Sequence, residues 1–86
     1  MKLKELLKAG FLQPGEELVW HRRATQKTHV VVVREDGSLT TSDGKLHKTP
    51  SGAAKHLNGN KPVDGWIAWK KKSNQVSLAE LRSKLL

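Results

Sequence analysis

The first hydrophobic residues of the chain recur at helical spacing. Leu3, Leu6 and Leu7 stand at positions i, i+3 and i+4, which places them on one face of a helix. Gly10 is suited to ending that helix, and residues 11–12, Phe-Leu, would fold back over it. The Pro-Gly pair in the following QPGEE predicts a turn. We therefore expect an N-terminal helix that packs through its leucines.

The next two apolar segments have the composition of β-strands. ELVWHRRA (residues 17–24) and THVVVVRE (residues 28–35) are rich in valine and tryptophan. ATQK, residues 24–27, lies between them and predicts a hairpin loop. The valine run, residues 30–33, has no polar position, which is typical of a strand covered on both faces. We expect this strand at the centre of a sheet.

Two Asp-Gly pairs, at residues 36–37 and 43–44, indicate tight turns. They predict a third strand at residues 38–41 and a short fourth strand around Leu46.

TPSGAAKHLNG then has the signals of a helix. Thr49 is a suitable N-cap, Pro50 suits the first helical position, and the Asn-Gly pair at residues 58–59 suits the end. The last ten residues, SLAELRSKLL, predict a closing helix in which Ser77 is the cap and Glu80 completes a capping box.

WIAWKK, residues 66–71, predicts another strand. Side chains alternate faces in a strand, so Ile67 and Trp69 would point one way and Trp66 and Ala68 the other. We expect Ile67 and Trp69 to form the core together with the valine run. Trp66, beside a small alanine, would have room for a partner. The alternative is that Trp66 packs under a neighbouring helix.

The elements give the order helix, β-meander, helix, strand, helix. This order predicts an α+β fold with a small, mainly antiparallel sheet of four or five strands and helices at the N-terminus, in the middle and at the C-terminus. The length of 86 residues predicts a single domain spanning residues 1–86.

Charge narrows the possible partners. Sixteen Lys and Arg against eight Asp and Glu give a net charge of +8, which attracts nucleic acid or an anionic membrane. No apolar run is long enough for a transmembrane helix, and Glu5 and Lys8 interrupt the stretch that a signal peptide would need. The predicted helices lack the broad basic-and-aromatic pattern of a helix that binds a membrane surface, so we expect no membrane partner.

The chemistry-bearing residues do not predict an enzyme. The chain has no cysteine, and its four histidines lack metal-ligand spacing, so we expect neither a zinc site nor a cofactor. Asp36, Asp43 and Asp64 each precede glycine, which is typical of turn residues. Ser51 has no evident His or Asp partner for nucleophilic catalysis.

Five segments in order resemble a known family: LLKAGFLQPGEEL, DGSL, TPSGAAKHLNG, VDGWIAWK and SLAELRSKL. Together they look like the RAMA domain, the restriction enzyme adenine methylase associated domain, over residues 3–85. The most specific parts are the Ser/Thr-Pro-Ser-x-Ala-Ala helix start and the Asn-Gly-Trp-x-x-Trp strand. Thr49 stands where the family often has Ser, and Asp64 stands where it often has Asn.

The resemblance implies a non-catalytic accessory domain that binds DNA or senses its modification in restriction-modification or methylation systems. Such domains occur beside methyltransferase and restriction modules, and the similar C-terminal region of cell-cycle adenine methyltransferases contacts DNA. We therefore expect double-stranded DNA as the partner, bound mainly through phosphates. A methyltransferase, a restriction protein or a second copy in a homodimer would be further partners. The expected location is the cytoplasm, on the nucleoid when the domain is DNA-bound.

Residue chemistry suggests where such a domain would touch DNA. The start of the middle helix offers unpaired backbone N–H groups, to which Ser51 adds a hydroxyl and Gly52 close access. Lysines beside Trp66 would combine phosphate contacts with stacking. The candidate DNA-binding residues are Pro50, Ser51, Gly52, Lys55, Asp64, Gly65, Trp66, Lys70, Lys72, Arg82, Arg22 and Arg23.

A protein-interaction module that docks a methyltransferase, a nuclease or a second copy of itself is the rival interpretation. The dependence of binding on salt distinguishes the two interpretations. Phosphate-driven binding weakens steeply as salt rises, whereas an apolar contact through Trp66 barely changes.

Overall fold

A computed structural model describes residues 3–23 and 25–85 of the chain. The helices are α1 (Leu3–Lys8), α2 (Pro50–Leu57), α3 (Gly65–Ala68) and α4 (Leu78–Leu85), and the strands are β1 (Glu17–Arg22), β2 (Lys27–Val33), β3 (Leu39–Thr41), β4 (Leu46–His47) and β5 (Lys70–Lys71). The predicted α+β class, with a small antiparallel sheet and helices at both ends and in the middle, is confirmed.

The five strands form one sheet in the order β4-β3-β2-β1-β5, and every neighbouring pair is antiparallel. The strand with the valine run, β2, lies at the centre of this order, as its composition predicted. The predicted hairpin joins β1 to β2, with Gln26 in the left-handed region at φ 53°. Ala24, part of the predicted loop, lies outside the described residues.

The hydrophobic core combines alternate strand residues with apolar residues of the helices. Trp69 is its largest fully buried side chain, and Leu3 and Leu6 of α1 are buried as predicted. The cluster comprises Leu3, Leu6, Leu12, Leu18, Val31, Val33, Leu39, Ala53, Ala54, Trp69, Leu78 and Leu81.

The valine run is buried on one face and only partly covered on the other, so the expectation of a strand buried on both faces is wrong. Val31 and Val33 belong to the core cluster, whereas Val32 is 38% exposed. On the face away from that cluster, Val19 of β1 is buried at 4% exposure and its partner Val30 is half-buried. Because neighbouring residues of a strand alternate faces, the core takes only every second residue of β2.

The prediction of a strand at residues 66–71 is correct only at its end, where Lys70–Lys71 forms β5, because residues 65–68 form the helical turn α3. The carboxylate of Asp64 caps this turn by accepting the backbone N–H of Trp66 at 3.0 Å. Helical geometry removes the predicted alternation of side chains, and Ile67 is 63% exposed instead of buried. Trp69 ends the turn and is the core residue that the sequence predicted.

The predicted helix boundaries are otherwise confirmed. Thr49 caps α2 with Pro50 at its start, and Asn58 is its C-cap. Ser77 Oγ accepts the backbone N–H of Glu80 at the start of α4. Within residues 3–23 and 25–85, no helix has the length and hydropathy needed to span a bilayer.

Candidate nucleic-acid interface

The start of α2 is a tightly built corner. Thr49 Oγ1 accepts the backbone N–H of Gly52 at 3.0 Å, which satisfies one of the unpaired donors at the helix start. A Cβ atom at Gly52 would lie 2.9 Å from the same hydroxyl oxygen. The glycine therefore leaves room for the cap, and part of the donor capacity expected for a phosphate is already used by Thr49.

α3 docks directly on this corner. A Cβ atom at Gly65 would lie 2.2 Å from the carbonyl carbon of Pro50 and 2.4 Å from the nitrogen of Ser51. The backbone N–H of Gly65 donates to Ser51 Oγ at 3.1 Å, and the indole Nε1 of Trp69 donates to the Pro50 carbonyl at 3.0 Å. The two sequence segments that most resemble the family thus pack against each other. Ser51, Gly65 and Trp69 are explained by this packing before any ligand is considered.

A cavity of about 410 Å³ opens beside the start of α2. We call it the Trp66 cavity; it is lined by Leu3, Asp36, Ser38, Lys48, Thr49, Pro50 and Trp66. The structure therefore places Trp66 next to Pro50 at the start of α2. The missed lining residues come from α1, the β2–β3 turn and the segment before α2, and no local sequence pattern links them.

Arg82 of α4 stacks on Trp66, with its guanidinium carbon 4.8 Å from the ring centroid. Arg82 pairs with neither Asp64 nor Glu80 in the described part of the chain. A guanidinium over an aromatic face is favourable by about 0.5–1 kcal/mol at an exposed site. Trp66 is half-buried, held by Arg82 and still able to line the cavity.

The Trp66 cavity has mixed charge. Asp36 Oδ1 accepts both the backbone N–H and the hydroxyl of Ser38, at 3.0 and 2.5 Å. Both hydrogen bonds lower the pKa of Asp36, and the one from the Ser38 hydroxyl has the larger effect. The carboxylate is therefore ionised at neutral pH. Lys48 supplies one positive charge to the lining. Asp64, on the adjoining α3, is a helix cap and adds a second carboxylate near the start of α2.

Lys70 and Lys71 of β5 and the following Lys72 lie apart from Trp66 in the contacts of the described residues. Lys72 pairs with Glu17 at 2.8 Å. Lys71 pairs with Glu16 at 3.4 Å and donates to the Phe11 carbonyl. Lys70 is exposed on β5, which pairs with β1. No hydrogen bond, ion pair or ring contact in the described structure joins these lysines to Trp66.

Arg22, by contrast, is fixed at the far end of α2. Its guanidinium donates to Asn58 Oδ1 at 2.6 Å and to the Leu57 carbonyl at 3.4 Å, and it lies 4.9 Å from the centroid of the Trp20 ring. Arg23 and Lys55 are exposed. The candidate residues therefore divide into three groups: one near the start of α2, one near its end, and Lys70 with Lys72 beside β1.

A family model described as Restriction Enzyme Adenine Methylase Associated, RAMA, matches residues 1–86, the whole chain. A comparison with curated proteins gave no significant match. The family resemblance read from the sequence is thus confirmed over its full length, and the chain belongs to the RAMA family, which is associated with the adenine methylases of restriction-modification systems.

Proposed function

We propose that the protein is a non-catalytic accessory domain that binds duplex DNA, mainly through phosphates, for a restriction-modification or methylation system. The surplus of unneutralised cations carries this proposal. The chain has a net charge of +8, and among the described Lys and Arg residues only Lys71 and Lys72 pair with a carboxylate. Such a surface attracts a polyanion and releases the counterions condensed on it. Under this proposal the domain works in the cytoplasm, nucleoid-associated when bound.

Sensing of DNA modification would fall to the Trp66 cavity. Trp66, Leu3 and Pro50 supply apolar surface, while Asp36 and Ser38 supply polar groups. A cavity of about 410 Å³ is large enough to admit part of a nucleotide, and a stacked aromatic ring typically contributes about 1–3 kcal/mol per base. A methyl group placed against such a surface gains roughly 0.8 kcal/mol, a factor of about four in affinity.

The test is a salt series of binding to one duplex sequence in methylated and unmethylated forms. Neutralisation of about 4–6 phosphates gives a slope of log affinity against log salt of about −4 to −5. No binding at about 50 mM salt and tens of micromolar protein refutes the DNA proposal. Equal affinity for the two duplexes at every salt concentration refutes the sensing part alone.

A protein-docking role is the second candidate, favoured by exposed apolar side chains. Ile67 of α3 is 63% exposed and Leu46 of β4 is 59% exposed, and Val32 lies on the partly covered face of the sheet. A methyltransferase, a nuclease or a second copy of the chain would be the partner. Binding that persists as salt rises, and sedimentation as a dimer in the absence of DNA, would support docking over phosphate binding.

A further inference from the structure

The cations at one end of the sheet are mixed with carboxylates, and those at the other end are not. β1 begins at Glu17 and ends at Arg22, and the antiparallel partner of Arg22 is Lys27 at the start of β2. β2 runs back toward the mixed end, where Lys71 and Lys72 pair with Glu16 and Glu17. Arg34, Glu35 and Asp36 follow the last residue of β2. The six residues of β1 separate the two ends of the strand by about 17 Å, at about 3.3 Å per residue.

The C-terminal end of α2 adds cations to the basic end of the sheet. Arg22 bonds to the Leu57 carbonyl and to Asn58, and the Asn58 amide in turn donates to the Lys61 carbonyl at 3.4 Å. The backbone N–H of Asn60 donates to the Lys55 carbonyl. We call this group the basic end; it consists of Arg22, Arg23, Lys27, Lys55 and Lys61.

No carboxylate lies within 4.0 Å of these five cations in the part of the chain that the structure describes. Asp43, which contacts α2 through His56 at 2.7 Å, also accepts the hydroxyl of Thr41. The field of the basic end also acts on His29: burial first, then the charges of Arg22 and Lys27, lower its pKa.

The Trp66 cavity, unlike the basic end, has a carboxylate in its lining. Asp36 lines it, Asp64 caps the adjoining helix, and the Ser51 hydroxyl already accepts a hydrogen bond from Gly65. Phosphate would meet the carboxylate of Asp36 there beside the single cation of Lys48, whereas at the basic end it would meet a group of cations with no paired carboxylate. The distribution of charge therefore favours phosphate at the basic end, apart from the aromatic Trp66 cavity.

We propose that the basic end is the principal phosphate-binding surface of this domain, taking the backbone of duplex DNA and standing apart from the Trp66 cavity. This inference rests on the proposed DNA binding. Arg22 is a positioning residue, locked between Trp20 and Asn58, while Arg23, Lys27 and Lys61 are exposed and reach phosphates. The two surfaces lie at opposite ends of α2, about 12 Å apart at 1.5 Å per residue, a distance close to the width of a major groove. One duplex can therefore contact both.

The decisive comparison uses two triple variants of equal net charge. The first, Arg23→Gln/Lys27→Gln/Lys61→Gln, removes cations from the basic end. The matched control, Lys4→Gln/Lys8→Gln/Lys84→Gln, removes three exposed cations from α1 and α4. The first variant should lose about 0.9 of salt slope per phosphate contact, about 3 in all, and on the order of 100-fold in affinity at about 0.1 M salt. The control should keep most of the slope and affinity.

Equal losses in the two variants overturn the inference, because the effect is then one of net charge, and DNA binding itself stands. A basic-end variant that binds like the unmodified protein also overturns it. If the unmodified protein fails to bind DNA, the proposed function fails instead. The substituted side chains are exposed, so thermal melting of both variants should match the unmodified protein.

Asn58→Ala tests the positioning role without changing charge. The substitution releases Arg22 from Asn58. The slope of log affinity against log salt should then become shallower by up to about 1. The measurement is made at about 10 °C, where we expect the domain to remain folded. An unchanged slope and affinity refute the positioning of Arg22. Melting measured in parallel separates this effect from loss of the helix cap.

Discussion

Replacement of Gly65 by alanine should unfold or nearly unfold the domain. The added methyl group would lie 2.2 Å from the Pro50 carbonyl carbon, 2.3 Å from its oxygen and 2.4 Å from the Ser51 nitrogen. All three atoms belong to the backbone at the start of α2, so no side-chain rotation can relieve the overlap. The variant must push α3 away from α2.

The cost follows from the contacts that this movement breaks. Overpacking alone costs typically about 1–3 kcal/mol, and a clash with backbone lies at the upper end. The hydrogen bonds from Gly65 to Ser51 and from Trp69 to Pro50 are worth about 1 kcal/mol each when lost. The sum is about 4–5 kcal/mol, against a total stability of about 4–13 kcal/mol for 86 residues.

Thermal melting followed by far-UV circular dichroism measures the effect. At about 4–8 °C per kcal/mol for a domain of this size, the melting temperature should fall by at least about 15 °C. Gly10→Ala is the control: Gly10 has a positive φ, 81°, unlike Gly65, and no heavy atom lies within 4 Å of its added Cβ. It should lose only the conformational cost of about 1–2 kcal/mol. A Gly65→Ala variant that melts within a few degrees of the unmodified protein would show that the α2–α3 contact yields easily.

Three further outcomes are expected. Trp69→Ala should cost about 3–5 kcal/mol in urea unfolding, because a fully buried indole is lost; an unchanged midpoint would contradict its place in the core. Trp66→Ala should melt at a higher temperature than Trp69→Ala, since Trp66 is only half-buried, yet bind DNA about 1–3 kcal/mol more weakly; unchanged affinity would remove the cavity from the DNA surface. Burial lowers the pKa of His29 and of His47 below 6.5 in the folded state, so the unfolded chain binds more protons below about pH 6.5. Stability should therefore fall as pH drops from about 7 toward 5, and a His29→Gln/His47→Gln variant should show a flatter dependence.

Local signals accounted for most of the fold. Caps such as Thr49 and Ser77 act within three residues, and the turns at Gly37 and Gly44 place glycine at φ 86° and 83°, where other residues are disfavoured. These interactions are complete within a short segment, so the sequence reveals them. The five-stranded antiparallel sheet follows from such turns between consecutive strands.

The error at residues 65–68 came from competition between two local signals. An apolar segment with two tryptophans favoured a strand, while Asp64 followed by glycine favoured a helix start. The second signal prevailed because Gly65 allows α3 to lie directly on the backbone of α2. That contact joins residues about 15 positions apart and is not visible in either segment alone.

The candidate site was predicted only in part, because some of its contacts also join segments that are distant in the sequence. Pro50 and Trp66 were both candidates from the sequence, and the structure places them in the lining of one cavity. The stacking of Arg82 on Trp66 and the bond from Arg22 to Asn58 connect residues 16 and 36 positions apart. Such contacts depend on how the helices pack on the sheet, which the sequence pattern does not specify.

The pairing of β1 with β5 has a consequence for folding and for truncation. Leu18 pairs with Val31 on one side, 13 residues away, and with Lys71 on the other, 53 residues away. Until the chain has been synthesised and folded through β5, β1 is an edge strand that presents the unpaired backbone of LVW. Exposed apolar edges promote pairing between molecules. Fragments that end before residue 70 should therefore aggregate, even though they contain four of the five strands.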